Sequence, residues 1–73
     1  VTTREVEAWL RKRIVWAIEH EDQVTGDGLS RIVDAASRML ALDEMRRARG
    51  ARPDVAAMNE INFELDGIGM RLP

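Results

Sequence analysis

The chain has no cysteine and no tyrosine, one histidine, one phenylalanine and two prolines. Each scarcity excludes something. Without cysteine, neither a disulfide nor a thiolate zinc site can form. A single histidine rules out a multi-histidine zinc site within one chain. No glycine-rich phosphate loop of either common type is present. With few nucleophiles and no phosphate cradle, the expectation is a non-enzyme with no cofactor and no metal. No apolar run approaches the ~18 residues of a membrane span, and no signal peptide is visible, so a cytoplasmic location is expected. Charge of one sign is lacking too. The net charge is −2, too balanced to mark a strong nucleic-acid binder or an acidic tail.

What is there is 73 residues, 45% of them hydrophobic. That is one domain at most, with a core near the lower limit of stability. Small domains close that gap with disulfides, a metal or a partner chain. The first two are excluded, so oligomerisation is expected. The basic residues are almost all arginine, a skew typical of GC-rich, often bacterial, coding genomes. The chain opens on Val1, as a processed chain or a fragment does.

Thr2 and Glu5 have the spacing of a capping box, and Val1 and Val6 that of a hydrophobic staple. Helix 1 is expected over about 3–20, with Val6, Leu10, Ile14, Ala17 and Ile18 at helical spacing. The segment EDQVTGDG breaks the pattern. Helix 2 is expected over about 27–49, with Leu29, Ile32, Val33, Ala36, Met39 and Leu40 as its stripe and Gly50 as its cap. The short connection makes the two helices antiparallel neighbours. A linker over about 50–58 follows.

The ending, INFELDGIGMRLP, alternates apolar and polar residues on both sides of Asp66-Gly67. A type I′ turn there, with positive φ at Gly67, pairs Leu65 with Ile68, Phe63 with Met70 and Ile61 with Leu72. The preferred expectation is therefore a β-hairpin over about 60–72. The competing reading continues a helix from Asp54 to Leu65, supported by Ala56 and Ala57 at its start. The expected fold class is α+β, mainly α: an antiparallel two-helix hairpin and a C-terminal β-hairpin, completed by oligomerisation.

At about 100° per residue, the apolar arc of helix 1 covers roughly 200°, about twice what one neighbour needs. Along its edge run Trp9, Arg13, Trp16 and His20, each touching the next. This ridge is either a core boundary with Arg13 packed over indoles or a contact surface rich in hot-spot residue types. Leu42 and Met45 fall off the stripe of helix 2 and are assigned with the ridge as interface residues. Arg46, Arg47, Arg49 and Arg52 could contact phosphates, but Asp43, Glu44 and Asp54 surround them and no DNA-binding signature frames them.

Two motifs fail on inspection. EDQVTGDGLSRI has Gly26 at the sixth place of a calcium loop but Ile32 where the twelfth needs a bidentate Glu. EVEAWLRKRI resembles the opening helix of some acyl carrier domains over ten residues. Such domains carry Asp-Ser-Leu at the start of their second helix; here Asp27-Gly28-Leu29-Ser30 puts the serine after the leucine, so the modified residue is out of place. The expected function is a non-enzymatic protein–protein interaction or assembly module, acting as a homo-oligomer (a dimer favoured) or as the small partner of a larger protein. The alternative is a small nucleic-acid-binding regulator using Arg46–Arg52.

Overall fold

A computed structural model of the chain describes residues 2–49 and 54–71, without the Arg49 side chain. Its elements are α1 (Thr3–Glu19), a 3-10 turn (Glu21–Gln23), β1 (Val24–Thr25), α2 (Gly28–Arg49), α3 (Val55–Asp66) and β2 (Gly69–Met70). The chain is mainly helical, with a small two-stranded antiparallel sheet.

α1 starts where its cap signal lies: the Glu5 backbone N–H donates to the Thr2 hydroxyl at 3.2 Å. It ends at His20, and Gly26, at φ +61°, turns the chain into α2. The ion pairs Glu7–Arg46 and Arg11–Asp43 hold α1 antiparallel to α2. The proposed staple of Val1 and the Gly50 cap lie outside the described residues.

The expected C-terminal hairpin is corrected. Residues 55–66 form α3, started by the Asp54 carboxylate, which accepts from the Ala57 N–H at 3.0 Å. Gly67 caps that helix at φ −83°, not in the left-handed turn the hairpin required. Only the last arm of the expected hairpin is strand, and its partner is different. β2 pairs with β1, Val24 opposite Met70 and Thr25 opposite Gly69, and the Arg71 N–H donates to the Gln23 carbonyl at 2.6 Å. Packing decides between the two periodicities. As a helix, α3 buries Met58, Ile61 and Leu65 on one face, at the three-and-four spacing that a helix presents to a neighbour.

The core joins Leu10 and Ile14 of α1, Ala35, Met39 and Leu42 of α2, and Met58, Ile61 and Leu65 of α3. Two further expectations change here. The inner face of α2 is Ile32, Ala35, Met39 and Leu42, while Leu29, Val33 and Leu40 are exposed. Leu42, at 4% exposure, therefore belongs to the core of the chain and not to an interface. α3 supplies the reason: it reaches α2 through Arg31–Glu64 and Arg38–Glu60, which rotates the packed face toward Arg31 and Arg38.

Candidate functional site

The tryptophan ridge stands at one edge of α1. Trp9 is 50% and Trp16 52% exposed. Leu10, Ile14 and Ala17, on the inner side of the same helix, are buried. Arg13 lies between the indoles with its guanidinium carbon 5.0 Å from the Trp9 ring centre. It is also bound to α3: one terminal nitrogen donates to the Asn62 side-chain oxygen and the other to the Asp66 carboxylate at 2.9 Å. Its charge is thus met by Asp66, and it pins the ridge to the end of α3. The His20 ring stacks on Trp16 at 4.2 Å between centres, and its Nδ1 lies 2.7 Å from the Trp16 carbonyl oxygen. A carbonyl can only accept, so Nδ1 carries the proton, and His20 closes the end of α1.

Beside the ridge opens a cleft of about 480 Å³, floored by Leu65, Ile68 and Met70 and walled by Trp9, Arg13 and Trp16. Its lining is largely apolar. The β1–β2 pairing carries Met70 to this position. Among the described residues no group of three or more acidic or histidine side chains is placed to hold a metal ion. Lys12, Arg13 and Asp66 are the charged residues of the cleft lining, and Arg13 and Asp66 are paired with each other.

No family model, curated protein or solved structure matches the chain.

The remaining expected site residues are dispersed. Met45 is 45% exposed, on α2. Arg46 is drawn inward: its terminal nitrogen lies 2.7 Å from the Glu7 carboxylate, whose side chain is only 4% exposed. Arg47 is exposed. The side chain of Arg49 and the whole of Arg52 lie outside the described residues.

Sequence reasoning missed Glu7, Asn62 and Asp66, and the cleft floor of Leu65, Ile68 and Met70. Glu7 lay at helical spacing from Leu10 and Ile14, so its burial had a sequence signal. The cleft floor had none, because it depends on β2 crossing to β1.

Proposed function

We propose that the chain is a non-enzymatic interaction or assembly module, working as a homo-oligomer, a dimer favoured, or as the small subunit of a larger protein. The supporting observation is the apolar surface that folding leaves uncovered. Trp9, Val15, Trp16, Ile18, Leu29, Val33, Leu40, Met45, Val55 and Phe63 are all between 45% and 70% exposed. Exposed apolar residues scattered singly need no explanation, but contiguous patches mark interaction surfaces. Trp9 and Trp16 lie on the ridge of α1, and Val15, Ile18, Leu29, Val33 and Leu40 on the outer side of α1 and α2. The Trp9–Arg13–Trp16 ridge has the composition of an interaction hot spot, and its cleft gives a partner side chain somewhere to insert. A cytoplasmic location goes with this reading.

The alternative, nucleic-acid binding through Arg46–Arg52, has one arginine fewer to offer, since Arg46 is engaged by Glu7. Light scattering at micromolar concentration tests the assembly reading. A species heavier than the 8.3 kDa chain is expected. A monodisperse monomer, with both indoles freely quenched by acrylamide, would contradict it. Retention on DNA that falls steeply with salt would favour the alternative.

A further inference from the structure

α2 carries two seams. The inner one, Ile32, Ala35, Met39 and Leu42, is buried. The outer one is Leu29, Val33, Ala36 and Leu40, with Leu29 54%, Val33 63% and Leu40 65% exposed. Both follow the alternation of three and four residues that a helix offers to a packed neighbour. α1 bears a shorter seam, Arg11, Val15 and Ile18, in which Val15 is 52% and Ile18 48% exposed. The pairs Glu7–Arg46 and Arg11–Asp43 fix the register of the two helices. Continued along the hairpin, that register sets Val15 level with Leu40 and Ile18 level with Ala36. The two outer seams therefore form one apolar face. α3 does not reach it. It is tied to Arg13, Arg31 and Arg38, which lie roughly half a turn away from this face at about 100° per residue.

Charge indicates the occupant. Arg4 and Arg47 stand at one end of the face, and Glu19, Glu21 and Asp22 at the other. All five are exposed, and among the described residues none has an ion-pair partner. Glu44, one turn after Leu40 and on the same side of α2, is also at the basic end, which therefore carries two cations against one anion where the other end carries three anions. A second copy laid antiparallel puts basic end on acidic end twice over, as a two-fold axis requires. A parallel copy would set like charges together. We infer that a second copy of this chain covers the outer face of α1 and α2, making an antiparallel four-helix bundle across a two-fold axis. The inference rests on the assembly reading. It places self-association away from the tryptophan ridge and leaves the ridge open to a different protein.

Sedimentation equilibrium at micromolar concentration tests it. The wild type is expected to run at twice 8.3 kDa. Leu40→Glu and, separately, Val15→Lys each bury an unpaired charge and are expected to weaken the dimer at least about 100-fold. Both positions are over half exposed in the chain, so helical circular dichroism should be retained. Trp9→Ala should change the dimer by less than about threefold. Reversing only the basic end (Arg4→Glu with Arg47→Glu) or only the acidic end (Glu19→Lys with Asp22→Lys) should weaken it roughly tenfold at low salt, and all four changes in one chain should restore it. The inference is overturned if Leu40→Glu and Val15→Lys dimerise as tightly as wild type, or if the fourfold variant stays as weak as the twofold ones. Loss of the dimer in Trp9→Ala but not in Leu40→Glu overturns the inference and spares the assembly reading. A monomeric wild type overturns the inference and the homo-oligomer form of the assembly reading, and if both indoles are also freely quenched by acrylamide it overturns the whole reading.

Discussion

Glu7 shows how much a single residue carries in a chain this small. Its carboxylate is enclosed between α1 and α2 and is met by Arg46 within ion-pair distance, though not in hydrogen-bond alignment, and the Arg46 Nε is buried without an acceptor. Removing one member of a buried pair leaves the other charge uncompensated, at a cost of about 3–5 kcal/mol when both are fully enclosed. Arg46 is about a quarter exposed, so Glu7→Ala is expected to cost nearer about 2 kcal/mol in urea unfolding. Glu7→Leu combined with Arg46→Met should recover most of it, since well-packed apolar residues replace such pairs at little cost. A cost under about 0.5 kcal/mol for Glu7→Ala would show that the pair is solvated. Gly28 matters for space. A Cβ there would overlap the Cγ1 of Val24 and press on Ile68, and a β-branched valine has little freedom to move. Gly28→Ala should therefore lower stability by about 1–3 kcal/mol, read as a fall in the urea midpoint. No change in the midpoint would mean that β1 is not held against the start of α2. Gly67 differs. A Cβ there meets only the guanidinium of Arg31, a flexible tip, and its backbone is in the ordinary helical region.

At the scale of elements, the two long helices were legible because caps and periodicity agree. Thr2 and Glu5 mark the start of α1, and Gly26 marks the break before α2. The third helix was misread for a physical reason. Ile61, Phe63 and Leu65 alternate, but Met58, Ile61 and Leu65 also have helical spacing, and a short apolar run satisfies both rhythms. The matched register around Asp66-Gly67 favours the hairpin, yet Phe63, the middle member of its first arm, is 70% exposed, so its apolarity reports nothing about the core. In α2 the expected stripe spans two seams: its Ile32 and Met39 are buried, while its Leu29, Val33 and Leu40 are exposed. The contrast yields a test of α3. Ile61→Ala should cost about 2–5 kcal/mol as a core truncation, whereas Phe63→Ala should fall within about 0.5 kcal/mol of wild type. Equal, large losses at both positions would restore the hairpin, in which the two share one face. Asp54→Ala should separately cost about 1 kcal/mol through loss of the cap, measurable as a drop in Tm. An unchanged Tm would leave the start of α3 without its capping interaction.

At the scale of the whole molecule, the three helices and the strand pair of the described residues enclose one small core and leave two apolar surfaces uncovered among those residues. The ridge of Trp9, Arg13 and Trp16 was legible because the residues lie on one helix. The cleft beside it was not, because its floor is assembled from α3 and β2. The outer face of α1 and α2 was hidden in the same way. Nothing in the spacing of Leu29, Val33 and Leu40 says which side of α2 the third helix will occupy. Isotope-filtered NOE spectroscopy on an equal mixture of labelled and unlabelled chain tests the assembly claim most directly. The account expects contacts between subunits at the methyls of Val15, Ile18, Val33 and Leu40. No such contact at millimolar concentration, with relaxation that fits a lone 8.3 kDa chain, would contradict it.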